Sequence, residues 1–187
     1  MRSHARSMLA SDFLVVVTGT FRVIYVFVIL EIGTRRILHW TEHPTAGWTA
    51  QQFRMIVPGD QGHRFVIHDR DTIYSEDVDR TLEAIGLTVL KTPARVPQAN
   101  TFCKRVIATI RRECLDFVIP LTEGHLRAIL REWISHYNRG RPHCSLGPGL
   151  PDPPSERWVA SNGHQLPDGR RVVSTTILGG LHHEYRP

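Results

Sequence analysis

The stretch Val66-Ile67-His68-Asp69-Arg70-Asp71 is an apolar run that ends abruptly in two acidic residues separated by an arginine. Buried strands end in this way where a carboxylate is presented at the edge of a sheet, because the backbone fixes its position while the side chain faces a solvated cleft. The pattern therefore indicates half of a metal site. Taken alone, it is equally compatible with a solvated turn in which Asp69 and Asp71 cap the segment that follows.

The composition indicates an ordinary globular protein with a basic bias. With 187 residues, 41% apolar and 22% charged, the chain is long enough for one well-cored domain and a short appendage. A net charge of +5 favours a polyanionic partner, and the cations are almost all arginines, which suit bidentate phosphate contacts. A general preference for arginine over lysine would produce the same composition, so the charge alone does not decide the partner.

The cysteines and the longest apolar run exclude two classes of protein. Cys103, Cys114 and Cys144 form an odd set without a CxxC pair, which argues against a disulfide framework or a zinc site and favours a reducing compartment. The segment 13–32 is apolar enough to resemble a membrane span, but Arg22 would then lie mid-bilayer at a cost of about 2.5–3.5 kcal/mol. A β-hairpin that turns near Gly19 explains this segment better.

Hydrophobic periodicity predicts alternating strands and helices. Runs rich in β-branched and aromatic residues predict five strands, at 12–17, 21–31, 35–39, 64–68 and 87–90. Helical spacing and capping residues predict four helices, at 45–57, from Ser75 to Gly86, at about 98–117 and at about 122–137. A proline-rich linker and a tail with a possible hairpin at Pro167-Asp168-Gly169 follow.

The element order and three motifs together are more specific than any one of them. Three antiparallel strands, a helix, a strand, a helix, a strand and two helices follow the order of a ribonuclease H-like α/β core. The motifs are His68-Asp69-Arg70 before Tyr74-Ser75, Pro97-Gln98-Ala99-Asn100 opening a helix that ends Arg111-Arg112-Glu113, and His136-Tyr137-Asn138 followed by Arg141-Pro142-His143 and Leu146-Gly147. Over residues 10–150 the chain resembles the catalytic core of insertion-sequence transposases of the retroviral integrase superfamily.

The resemblance implies a mixed five-stranded sheet flanked by helices and a site in which three carboxylates hold two Mg²⁺ or Mn²⁺ ions. Carried over by position, the first acid is Asp12 and the second is Asp69, with Asp71 a weaker candidate. An acid within an apolar strand is costly unless it is paired or metal-bound, so Asp12 favours the site interpretation over a strand-end acid that faces water.

The third acidic position of the family pattern is occupied by Lys104 in the stretch Ala99-Asn100-Thr101-Phe102-Cys103-Lys104-Arg105. The spacing is intact, because 34 residues separate Asp69 from Lys104, but an ammonium group cannot ligate a metal and repels one. Glu113 lies about 13.5 Å further along the helix and roughly half a turn away, so we do not expect it to substitute. The resemblance therefore implies a catalytically impaired core.

We expect the catalytic core to span residues 12–147, followed by a linker at 148–163 and a tail at 164–187. The N-terminal arm, residues 1–11, is shorter than the end-recognition region that precedes the core in the family, and we expect that region to be missing. The implied activity is DNA cleavage and strand transfer in DNA integration, transposition and recombination, in the cytoplasm of a bacterium and in association with the nucleoid.

The expected partners are transposon-end and target DNA and further copies of the chain, and no membrane. The candidate phosphate-binding residues are Lys91, Arg95, Arg105, Arg111, Arg112, Arg139 and Arg141. Two alternatives to the impaired enzyme stay open. One is a non-catalytic DNA-binding or oligomerising remnant of a transposase, in which Lys104 takes a metal's electrostatic place, and the other is a translated remnant without function.

Overall fold

The computed structural model describes residues 5–41, 45–57, 62–71, 73–92, 100–147, 149–154 and 171–186. The chain forms two compact units, residues 1–127 and 128–187, and the boundary between them falls within its last helix. Within the described residues no helix is both long and apolar enough to cross a membrane. Arg95, the motif segment 97–99 and the expected turn at 167–169 lie outside the described residues.

The first unit is built on a mixed five-stranded sheet, as the sequence predicts. Its strands are β1 (Met8–Val17), β2 (Val23–Glu31), β3 (Ile37–Thr41), β4 (Phe65–His68) and β5 (Thr88–Lys91). They lie in the order β3-β2-β1-β4-β5. β1 and β2 pair antiparallel, as do β2 and β3, whereas β4 pairs parallel to both β1 and β5.

Several strand boundaries differ from the prediction by one to four residues, among them the starts of β1 and β3. β1 begins at Met8 rather than at Asp12, because Met8, Leu9 and Ala10 pair with β4 and extend the strand towards the N-terminus. β3 begins at Ile37 rather than at residue 35, because Arg35 adopts a positive φ of 66° in the turn that follows β2. The apolar segment 13–32 forms the predicted hairpin, since its two halves are paired strands.

Three helices of the first unit cover the sheet. They are α1 (Ala46–Ile56), α2 (Glu76–Ala84) and α3 (Thr101–Ile110). The Thr45 side chain caps α1 by accepting a bond from the Trp48 backbone N–H. α1 and α2 bury a cluster with one face of the sheet that includes Phe27, Phe53, Val66 and Leu82, while α3 lies against β1 and β2. β2 is buried along consecutive residues, as a strand covered on both faces must be.

The helix predicted at about 98–117 is shorter and less regular than expected. α3 ends at Ile110, and residues Arg111–Leu115 continue as a π-helical turn. The final helix, α4, spans Glu123–Arg139, close to the predicted range. Thr122 caps it as predicted, because its side chain accepts a bond from the backbone N–H of His125.

The second unit contains the greater part of α4 and a C-terminal hairpin of β6 (Val173–Ile177) and β7 (His182–Arg186). The hairpin turns through Leu178–Gly180. Two contacts join it to α4: Glu132 accepts a bond from the Leu178 backbone N–H at 2.6 Å, and His136 Nδ1 lies 2.9 Å from Glu184 Oε1.

Candidate active site

Strand register brings the two predicted acids side by side. β1 pairs parallel with β4 up to Ala10 opposite Ile67, and continuing that register by two residues places Asp12 level with Asp69. Because side chains alternate between the faces of a sheet, the two acids point to the same side of the sheet. This is the side on which α3 contacts β1.

Asp12 is a buried carboxylate, with a side chain only 10% exposed. Its Oδ1 accepts a bond from the Phe13 backbone N–H at 2.9 Å. Burial raises the pKa of Asp12 to about 6; the charge of Asp69 adds to the rise, and the Phe13 bond and the Lys104 ammonium oppose it. Since the ionised form is costly to bury without a counter-charge, this carboxylate favours a bound proton or a nearby cation.

Lys104 provides that cation. Its Nζ lies 3.8 Å from Oδ2 of Asp12 and 3.9 Å from Oδ2 of Asp69. The structure thus brings Asp12, Asp69 and Lys104 together, as their positions in the sequence predict. The Lys104 side chain is 43% exposed, so the ammonium group lies at the mouth of the site, between the two carboxylates and solvent.

Asn100 contacts Asp12 from one turn before Lys104 on the same helix. Its Nδ2 donates to the backbone carbonyl of Ser11 at 2.9 Å and to Oδ2 of Asp12 at 3.4 Å. Residues four apart lie on one face of a helix, which explains why Asn100 and Lys104 both reach the first acid. Asn100 belongs to the motif, but no sequence pattern predicts its contact with Asp12.

The second acid is held by its own loop and by the residue before it. Oδ1 of Asp69 accepts a bond from the Asp71 backbone N–H at 3.1 Å, and Oδ1 of Asp71 accepts from Ile73 at 3.0 Å. Asp71 therefore also has the turn-capping role proposed as the alternative for this stretch. The preceding residue, His68, is fully buried, and its Nδ1 donates to the carbonyl of Asp69 at 2.6 Å.

The donor set does not fit the two-metal site that the resemblance implies. Two carboxylates face an ammonium group where a third carboxylate is needed, and in the described part of the chain no group of three or more His, Cys, Asp or Glu residues is placed to hold a metal ion. Cys103, next to Lys104, adds no reactive thiolate, because burial raises its pKa well above the ordinary value.

Six of the seven predicted phosphate-binding residues lie in the described part of the chain, four in the first unit and two in the second. On α3 and the π-helical turn, Arg105, Arg111 and Arg112 are exposed, and Arg111 donates to the Val15 carbonyl at 2.9 Å. Lys91 pairs with Asp79 at 2.5 Å. In the second unit Arg139 pairs with Asp152 at 3.1 Å, and Arg141 lies over the Tyr137 ring.

Comparison with known proteins finds similarity to integrase cores and to transposases. The family model of the integrase core domain matches residues 86–151. The chain is 26% identical over 130 residues to the putative transposase InsD for insertion element IS2E of Escherichia coli strain K12, covering 63% of this chain and 59% of that protein. It has the same identity to the transposase InsD for insertion element IS2A/D/F/H/I/K of Escherichia coli, of which it covers 42%. Residues 86–151 of the chain are thus similar to an integrase core, and the chain is similar to transposases of insertion elements.

The fold of this chain is similar to the folds of several solved structures. The Mos1 transposase catalytic domain with raltegravir and Mg superposes with a TM-score of 0.60 at 15% identity, covering 70% of this chain and 72% of that one. The catalytic core domain of BIV integrase gives 0.55 at 12%, covering 78% and 91%. A chain of the simian T-cell lymphotropic virus intasome in complex with the PP2A regulatory subunit B56 gamma gives 0.60 at 10%, covering 97% and 67%. The mixed sheet of this chain thus has a ribonuclease H-like fold. The chain spans only 42 to 59% of the length of the curated relatives it matches.

Proposed function

We propose that this chain is the core of a DNA strand-transfer enzyme that retains DNA binding but is impaired in metal-dependent cleavage. The observation that carries the proposal is the position of Lys104, whose ammonium group lies within 4 Å of Asp12 and Asp69. A positive charge so close to both carboxylates opposes the entry of a divalent cation, which is repelled by the charge and finds no third oxygen ligand. Related cores have been solved with Mg and with Mn, so these ions are the ones to test.

The residue substitution that tests the proposal is Lys104→Glu. We expect the wild-type chain not to nick supercoiled plasmid in Mg²⁺ or Mn²⁺, and we expect Lys104→Glu to gain Mn²⁺ binding, measured as a Mn²⁺-dependent rise in the thermal midpoint. Nicking by Lys104→Glu but not by the matched control Asp69→Asn/Lys104→Glu would assign the defect to position 104. Nicking by the wild type would overturn the claim of impairment.

A second candidate function is that of a non-catalytic DNA-binding module. It is favoured by the same ion pairs, because Lys104 neutralises the buried carboxylates without any metal and the fold then needs none. If neither protein nicks plasmid, but both bind a duplex oligonucleotide with a steep dependence on salt concentration, this candidate replaces the first. The curated relatives are transposases of Escherichia coli, so either function would be exercised on bacterial DNA in the cytoplasm.

We further propose that the chain associates with copies of itself, since one structural relative is a chain of an intasome. An exposed apolar surface supports this proposal. Phe21, at the tip of the β1–β2 hairpin, is 89% exposed, and Ile119 is 69% exposed. The two segments are joined, because Gly19 N–H donates to the Pro120 carbonyl at 2.8 Å. Exposed apolar surface of this kind favours association.

Sedimentation velocity tests this part of the proposal. We expect the wild-type chain to sediment as a concentration-dependent oligomer and Phe21→Ser/Ile119→Ser to shift towards the monomer. The control is Met55→Ser, which removes an exposed apolar side chain from α1. An oligomer of equal strength in both variants would place the interface elsewhere, and a monomeric wild type would contradict self-association.

A further inference from the structure

Behind the two carboxylates, on the opposite face of the sheet, lies a second matched pair of residues. The register that sets Asp12 level with Asp69 also sets Ser11 level with His68. Because neighbouring side chains of a strand point to opposite faces, Ser11 and His68 face away from Lys104. Both are fully buried. Each is the residue immediately before one of the acids, so its position fixes the backbone from which the carboxylate projects.

Tyr74 contacts both members of this pair. Its hydroxyl donates to Ser11 Oγ at 2.7 Å, and its ring stacks on the His68 ring at 4.1 Å with an angle of 11° between the planes. Burial raises the pKa of Tyr74 well above its ordinary value, so the phenol keeps the proton that it donates. The same ring lies 5.4 Å from that of Phe13, the residue that follows Asp12.

The His68 ring is fixed from its far side as well. While Nδ1 donates to the Asp69 carbonyl, Nε2 lies 3.0 Å from Oδ1 of Asp79 on α2. Lys91, on β5, holds the other oxygen of Asp79 at 2.5 Å. Both ring nitrogens thus face oxygen atoms, and a ring with two such partners cannot rotate without breaking one of them. The stack with Tyr74 therefore rests on a fixed surface.

We propose that Tyr74 is a positioning residue that sets the spacing between the Asp12 and Asp69 carboxylates, acting on Ser11 in one strand and on His68 in the other. The inference rests on the proposed function only in taking these carboxylates as the working groups of the site. Hydrogen bonds and packing behind a site hold its reactive side chains to within about 0.5 Å of their working positions.

The competing explanation is that Tyr74 merely fills the core, since it belongs to the apolar cluster under α1 and α2. A phenylalanine would fill the same volume and stack on His68 equally well. The hydroxyl bond to Ser11 is therefore what separates the two explanations, and Tyr74→Phe and Ser11→Ala each remove that bond while leaving the aromatic packing in place.

Two backbone amides report the carboxylate positions in the wild-type protein. The Phe13 amide bonds to Oδ1 of Asp12, and the Asp71 amide bonds to Oδ1 of Asp69. The decisive measurement in ¹H–¹⁵N spectra is whether a substitution on one strand shifts the amide that reports the acid of the other strand. Ser11 lies on the strand of Asp12, yet we expect Ser11→Ala to shift the Asp71 amide resonance. Tyr74→Phe should shift the resonances of both amides. The double variant should shift them no further, because the same hydroxyl bond is lost in all three variants.

Tyr25→Phe is the matched control, because Tyr25 is a half-exposed tyrosine of β2, and we expect it to leave both amides unchanged. A cooperative thermal unfolding transition in every variant shows that the fold persists. If Ser11→Ala shifts only amides of its own strand, or if the double variant shifts the two amides by the sum of the single variants, Tyr74 does not couple the two acids and the proposal is overturned.

A second measurement separates this inference from the proposed function. In the Lys104→Glu background we expect Tyr74→Phe to weaken Mn²⁺ binding about tenfold, the lower end of the usual effect of outer contacts on metal affinity. Equal Mn²⁺ affinity with and without the hydroxyl overturns the positioning role. Absence of Mn²⁺ binding in Lys104→Glu itself contradicts the proposed function, and the amide shifts then decide the positioning role alone.

Discussion

At the scale of single residues, burial of the Asp12 carboxylate lowers the stability of the folded protein. The side chain is buried, and its pKa is raised to about 6, chiefly by burial. A carboxyl group whose pKa is higher in the folded than in the unfolded protein binds more protons when folded. Its contribution to the free energy of unfolding is therefore greatest below the unfolded pKa and falls as pH rises towards the folded pKa.

We expect this loss to be measurable between about pH 4 and pH 6.5. The rise in the pKa of Asp12 from its ordinary value of 3.8 to about 6 corresponds to about 3 kcal/mol at 1.36 kcal/mol per pKa unit. Asp12→Asn, which carries no charge at any pH, should flatten the dependence of urea-unfolding free energy on pH and unfold at higher urea than wild type at pH 7.5. Glu83→Gln, an exposed carboxylate on α2, is the control. A wild-type slope retained by Asp12→Asn would contradict the cost assigned to this group.

The residues that touch across the site were easier to predict than those that support it. Asp12, Asp69 and Lys104 were assigned from the resemblance to the transposase and integrase core, and the structure brings them together. The support by Ser11 and Tyr74 spans 63 residues of sequence, and that by Asn100 and Ser11 spans 89. Nothing in local periodicity indicates a hydroxyl pair at such a separation, because the contact depends on the parallel register of β1 and β4.

At the scale of elements, the types were predictable and the ends were not. Long β-branched runs indicated the strands correctly, but β1 gains its first residues from pairing with β4, which is a tertiary effect. The π-helical turn after α3 leaves no mark in apolar spacing. The tail hairpin turns at Leu178–Gly180, where Gly179 and Gly180 both have positive φ. These glycines were present in the sequence, and turn chemistry alone would have identified them.

Alanine substitutions at two glycines, Gly33 and Gly47, should have opposite effects on stability. A Cβ on Gly33, in the turn after β2, would lie 2.7 Å from the backbone Cα of Arg6, whereas a Cβ on Gly47, in the first turn of α1, meets nothing within 4 Å. We expect Gly33→Ala to lower the free energy of unfolding by about 1–3 kcal/mol through overpacking, and Gly47→Ala to raise it by up to about 1 kcal/mol through helix propensity. Urea denaturation measures both, and equal effects of the two substitutions would refute the close approach at Gly33.

At the scale of the whole molecule, the sheet order places the site at the centre of the first unit. β1 is the middle strand and β4 its parallel neighbour, so the acids come from the end of β4 and from a strand that pairs with neighbours on both sides. The order was predictable from the resemblance and from the sequence of elements. The domain limits proposed from the sequence stay predictions, as do the roles of the basic residues.

The proposed DNA binding is tested through exposed arginines of the first unit. Arg105 and Arg112 are exposed in the first unit, and we expect Arg105→Gln/Arg112→Gln to reduce the slope of log K against log salt concentration by about 2, roughly one per lost phosphate contact. Fluorescence anisotropy with a duplex oligonucleotide measures the slope. Arg80→Gln removes an exposed arginine that pairs with Asp77 and should not change it; equal slopes in all three proteins would exclude Arg105 and Arg112 from the interface.

The position of Lys104 has a genetic consequence. Lysine is encoded by AAA and AAG and glutamate by GAA and GAG, so the two differ by one transition at the first base of the codon. Asp12 and Asp69 already lie within 4 Å of the side chain at position 104. A gene for this chain therefore stands one base change from a third acid facing the other two, and a reversion would arise in a scaffold that still holds its partners in place.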